Sequence, residues 1–139
     1  MNAAQIQVYR DGSFQRDSHG KPATLLPVEM DGGAVIDTVA WFEGRAGAWW
    51  LERRIGSHLG DKALKSAAFF GRPVRLLATP AQWLASPDEA VVILDWQGDL
   101  RRVFRDVPTI VCASDGLAKH LNRRLNEQVR HTYEIRVAA

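Results

Sequence analysis

Three carboxylates stand out by position, because each follows a short apolar stretch rich in β-branched residues. Glu43 comes after residues 34–42, Asp95 after the run Ala90-Val91-Val92-Ile93-Leu94, and Asp99 four residues further on. A hydroxyl, Ser114, ends a second run of the same kind over residues 108–113. Runs of this length and composition read as buried strands of a mostly parallel sheet. In open α/β sheets, chemistry collects just past the carboxyl ends of such strands. Gathered carboxylates there serve either to hold Mg²⁺ through oxygen ligands or to work as an acid/base or phosphorylatable pair. The plainer alternative is that each acid only caps a turn or the next helix.

A second constellation is cationic. Over residues 115–131, Leu117, Ala118, Leu121, Leu125 and Val129 share one side at helical spacing. Lys119, Arg123 and Arg130 occupy the other side, with His120, Arg124 and His131 beside them, and only Glu127 interrupts the positive surface. Arg101, Arg102 and Arg105 extend the same sign nearby in sequence. Residues 100–139 hold eight Lys/Arg against four Asp/Glu, a local excess of +4, whereas residues 1–70 hold eight of each. Such a face suits phosphate contacts along a nucleic-acid backbone. Its structural alternative is a solvated helix surface.

Several chemistries are excluded or unsupported. The single cysteine, Cys112, rules out an intramolecular disulfide and a multi-cysteine zinc site, and within its apolar run it reads as a small buried thiol, with a nucleophile as the alternative. His19, His58, His120 and His131 have no zinc-ligand spacing, and no local signature suggests a Ser/His/Asp set. Gly32-Gly33 and the segment Gly44 to Gly47 match neither a phosphate loop nor a dinucleotide fingerprint. The amino terminus lacks the regions of a signal peptide, and no apolar run reaches membrane-spanning length. A cytoplasmic location is the resulting expectation.

These residues need elements to position them. Residues 5–10 alternate polar and apolar, Asp11-Gly12 and residues 18–22 signal turns, and residues 24–30 return as the arm of a hairpin. A strand is expected over 34–42 and a helix over 46–59, where Ala48, Leu51, Ile55 and Leu59 share a face. Further helices are expected over 61–70, 80–85 and 115–131, and strands over 74–78, 90–96, 108–113 and 132–137, while residues 100–106 read as a short helix or as the return strand of a hairpin with 91–96. Alternating strands and helices predict one α/β domain spanning residues 1–139. Its centre would be a mixed sheet of about five strands with helices packed on it, and its amino terminus a β-hairpin.

Two resemblances meet the acidic residues. Trp41-Phe42-Glu43-Gly44 followed by Val92-Ile93-Leu94-Asp95 resembles the Toprim domain of primases and topoisomerases. That resemblance implies Mg²⁺-dependent phosphoryl transfer with Glu43, Asp95 and Asp99 holding the metal. Residues 87–96 also resemble response-regulator receiver domains, which would make Asp95 a phosphoacceptor and Ser114 a switch hydroxyl.

We read the chain as a binding module without a cofactor. Its expected partner is nucleic acid or a nucleic-acid-handling protein, engaged through Arg101, Arg102, Lys119, His120, Arg123, Arg124 and Arg130. The Mg²⁺ enzyme on Glu43, Asp95 and Asp99 is the first alternative, and a receiver-like interaction domain is the second.

Overall fold

Polar–apolar alternation at the amino terminus builds a sheet. In β1 (Asn2–Val8), Ile6 is buried while Gln5 and Gln7 face solvent. The computed structural model describes residues 2–45, 47–132 and 137, and for residues 129–132 the backbone only. β1 pairs antiparallel with β2 (Phe14–Arg16) on one side and with β3 (Lys21–Met30) on the other. β4 (Ala34–Trp41) pairs with β3, and the short β5 (Trp50–Leu51) with β4, giving an all-antiparallel sheet in the order β2-β1-β3-β4-β5.

The second sheet is mixed. Its order is β6-β8-β7-β9, from β6 (His58–Leu59), β8 (Ala90–Ile93), β7 (Val74–Leu77) and β9 (Ile110–Cys112). β7 runs parallel to both β8 and β9, while β6 is antiparallel to β8. Four helices are present among the described residues: α1 (Asp61–Phe70), α2 (Pro80–Trp83), α3 (Leu100–Val103) and α4 (Asp115–Thr132). The protein is thus mixed α/β with an amino-terminal hairpin, as its sequence implies. The single central sheet of about five strands is corrected to two sheets.

β8 shows why its run Ala90-Val91-Val92-Ile93 is continuously apolar. Ala90 and Val92 enter a cluster with Leu26, Val28 and Val39 of the first sheet, while Val91 and Ile93 face Leu64 of α1, Leu100 and Leu121. A strand buried on both faces has no position left for a polar residue.

The helix expected over residues 46–59 does not form. Leu51 instead pairs with Val39 and Trp50 with Ala40, and Arg54 takes a left-handed φ of 57°. The backbone N–H groups of Arg53, Ile55 and Gly56, which a helix would use internally, are donated to the buried Asp37 carboxylate. An acceptor 16–19 residues away in sequence therefore overrides the local helical spacing. The strand expected over 132–137 falls largely outside the described residues, and α4 continues to Thr132.

Candidate functional site

α4 begins where the Ser114 hydroxyl accepts a hydrogen bond from the Leu117 N–H at 3.2 Å. Leu121 is buried and Leu117 and Leu125 pack against the same cluster, which fixes the helix's rotation. The opposite stripe carries Lys119, Asn122, Arg123 and Asn126, all exposed and spaced i, i+3, i+4, i+7. Arg101 and Arg102 are exposed on α3, which packs against α4.

Arg124 and His120 have internal contacts. Arg124 is turned inward: its Nε donates to the Trp96 carbonyl at 3.0 Å, its Nη2 to Gln97 Oε1 at 3.3 Å, and its Nη1 pairs with Glu127. Gln128 bridges the same loop, donating to the Gly98 carbonyl at 2.6 Å and accepting from the Leu100 N–H at 3.0 Å. The His120 ring lies 4.2 Å from the Trp96 ring, and its Nδ1 accepts from Arg123 Nη2 at 3.1 Å. Arg130 lies on the α4 backbone, and its side chain is outside the described residues. The cationic surface expected from the sequence is therefore narrower, with Arg124 serving as an anchor for the 96–98 loop.

The three acids are placed as turn and cap residues. Asp95 Oδ1 accepts from the Gln97 N–H at 3.0 Å, and Asp99 Oδ1 accepts from the Arg102 N–H at 3.2 Å as the cap of α3. Glu43 is exposed in the turn after β4, on the other sheet. Among the described residues, no three His, Cys, Asp or Glu side chains gather to hold a metal ion. The donor set that Mg²⁺ would need on Glu43, Asp95 and Asp99 is therefore not assembled. Asp95 and Ser114 follow β8 and β9, and β7 lies between those strands, separating their ends by roughly 10 Å.

A different polar constellation emerges in a cleft of about 960 Å³ lined by the β3–β4 tip, residues 55–58, α1 and the α3 segment. Ser57 Oγ lies 2.6 Å from His58 Nδ1, and His58 Nε2 lies 3.0 Å from Asp61 Oδ1. Asp61 Oδ2 accepts from Lys65 Nζ at 2.9 Å and from the Asp31 N–H at 3.1 Å. Lys65 also pairs with Asp31 Oδ1 at 2.6 Å. His58 and Asp61 are buried, whereas Ser57 is half-buried on the cleft wall.

Sequence reading missed this chain of groups because it placed residues 46–59 on one helix. The visible signal was glycine punctuation, Gly56-Ser57-His58-Leu59-Gly60-Asp61, which suits a short strand between breaks. Asp37 sets the preceding loop. Its Oδ1 accepts from Thr38 and Arg53 N–H groups and its Oδ2 from those of Ile55 and Gly56, at 2.8–2.9 Å.

Burial opposes charge on Asp61, but the bonds from Lys65, His58 and the Asp31 N–H outweigh it and hold the carboxyl below its ordinary 3.8. Its bonds to Asp31 and Asp61 hold the Lys65 ammonium above its usual range. The signs follow by linkage. Asp61 contributes stability above its unfolded pKa and loses it as pH falls through the lower folded value. Lys65 contributes below its unfolded pKa and loses that contribution as pH rises through its higher folded value. Asp61→Asn should therefore flatten the acid limb of a stability–pH curve below about pH 4 while leaving its neutral slope unchanged. An acid limb identical to that of the unaltered protein would contradict this assignment.

Cys112 is half-buried, and that burial pushes its thiol up from the ordinary value. Trp41 is buried, and Trp49 and Trp83 each donate an indole N–H to a backbone carbonyl, of Leu94 and Ala90 respectively. No helix among the described residues is long and apolar enough to cross a membrane. Comparison with protein-family models, curated proteins and solved structures finds no match to this chain.

Proposed function

We propose that the protein is a binding module that engages nucleic acid through the outward stripe of α4, extended by Arg101 and Arg102. The observation that supports it is the makeup of that stripe. Lys119, Asn122, Arg123 and Asn126 stand exposed on the face opposite the core, and the inward-facing Arg124 and Gln128 lock the helix onto the 96–100 loop. Cations supply phosphate contacts and register, whereas asparagine offers a donor and an acceptor, and arginine paired donors, to base edges. A helix of this kind fits a major groove about 12 Å wide. Its rigid mounting reduces the ordering cost of binding.

Lys119→Ala combined with Arg123→Ala should weaken binding to a 20-base-pair duplex about 10-fold or more at low salt. Fluorescence anisotropy with labelled duplex and single-stranded DNA and RNA measures this. Arg124→Ala should instead lower the unfolding midpoint, since its guanidinium holds a loop rather than a ligand. Unchanged affinity in the double variant would remove α4 from the account.

A further inference from the structure

The cleft beside α1 is distinct from the α4 stripe. We propose that it is an acyl-transfer site in which Ser57 is the nucleophile, His58 its general base and Asp61 the group that positions His58, acting on carboxylic esters with an apolar acyl chain. Three observations converge on it.

The first is tautomer control. Asp61 is fixed by Lys65 Nζ and the Asp31 N–H, so its Oδ1 faces His58 Nε2 as an acceptor. In the neutral ring, an Nε2–H directed at Asp61 leaves the Nδ1 lone pair facing Ser57 Oγ at 2.6 Å. A serine hydroxyl donating to a neutral imidazole that is itself oriented by a carboxylate is the arrangement nucleophilic catalysis needs. The ring nitrogens are used in the opposite order from the serine-protease template, but the roles follow from geometry rather than from atom names.

The second is placement. His58 and Asp61 are buried, while Ser57 reaches the cleft wall. The polar chain therefore runs from the interior to a cavity large enough for a small ligand.

The third is the lining. Ile36, Ile55, Leu64 and Phe69 supply apolar surface for an acyl chain, and Ile55 and Phe69 are 60% and 82% exposed. Arg105 lines the same cleft, with Asp99, Arg102 and Asp106 beside it in the lining.

The reaction balances without a cofactor. Ser57 Oγ forms a bond to the ester carbonyl carbon as its proton passes to His58 Nδ1. The C–O bond to the alcohol then breaks, and Nδ1 returns the proton to the leaving alkoxide. Water attacks the acyl-serine, gives its proton to Nδ1, and releases the carboxylic acid as Ser57 recovers its hydroxyl proton.

The test uses the full chain with p-nitrophenyl butyrate and, separately, a fluorophosphonate that traps activated serines. The expected results are a single phosphonyl adduct on Ser57 by peptide mass spectrometry, and ester hydrolysis that falls about 100-fold in Ser57→Ala. Ser57→Cys should retain measurable acyl transfer with a shifted pH profile, which a purely structural serine would not give. Urea unfolding of both variants checks that the fold survives. An absence of adduct on Ser57 in the folded protein, or hydrolysis undiminished in folded Ser57→Ala, would overturn the proposal. Duplex binding by the same variants should be unaltered, so this site and the α4 interface stand or fall separately.

Discussion

Asp37→Ala is expected to cost on the order of 4 kcal/mol of stability, enough to unfold a marginal protein. Four backbone N–H groups converge on this buried carboxylate, two on each oxygen. Without it the Thr38 N–H of β4 and the three N–H groups of the 53–56 loop lose their acceptor. A buried donor left unpaired costs about 1–3 kcal/mol, and because only the Gly56 bond is fully buried while the other three are part-buried, the total stays below the simple sum. Asp37→Asn should be nearly as damaging, because one oxygen becomes an NH₂ that faces N–H donors. Urea unfolding should show the midpoint dropping by roughly 2 M at an unchanged slope. A loss under about 1 kcal/mol would mean that the 53–56 loop is held by something other than Asp37.

Gly60→Ala should be of comparable severity. Gly60 precedes α1 with φ 89°, and a Cβ there would lie 2.2 Å from the Ala90 carbonyl oxygen of β8. That carbonyl also accepts the Trp83 indole N–H at 2.8 Å, so moving it disturbs α2 as well. Backbone against backbone has no rotamer by which to yield. We expect about 3 kcal/mol or more, the sum of left-handed strain and displacement of the strand. Gly71→Ala is the matched control. Gly71 is also left-handed, φ 64°, but its Cβ would meet nothing within 4 Å, so only the conformational cost of about 1 kcal/mol remains. Equal effects at the two glycines, measured by thermal or urea unfolding, would show that the β8 contact is not the controlling feature.

Much of the carboxyl-terminal two thirds was legible in the sequence, because its signals are local. Pro80 opens α2 behind a Thr79 cap, Asp99 caps α3, Ser114 starts α4, and the apolar run at 90–93 is the strand buried on both faces. Where pairing partners are distant, the reading failed. Residues 46–59 have helical spacing, yet Asp37 and Val39 claim their backbone and Leu51. That error hid Ser57 and His58, whose meaning depends on Asp61 and on the tip of the β3–β4 hairpin at Asp31. The acids had the opposite fate. Asp95 follows β8 and Asp99 caps α3, and one oxygen of each accepts from a neighbouring N–H group. On α4 the exposed cations among the described residues are Lys119 and Arg123, and nothing in the sequence distinguishes an outward Arg123 from an Arg124 folded onto the Trp96 carbonyl.

The α4 interface is tested most directly by the salt dependence of duplex binding. Phosphate contacts from Arg101, Arg102, Lys119 and Arg123 predict a log–log slope of about −3.6, reduced by roughly 1.8 when Lys119 and Arg123 are both alanine. Anisotropy titrations from 50 to 200 mM salt read both quantities on the same sample series. A slope near zero, or no association at the lowest salt, would contradict the nucleic-acid reading.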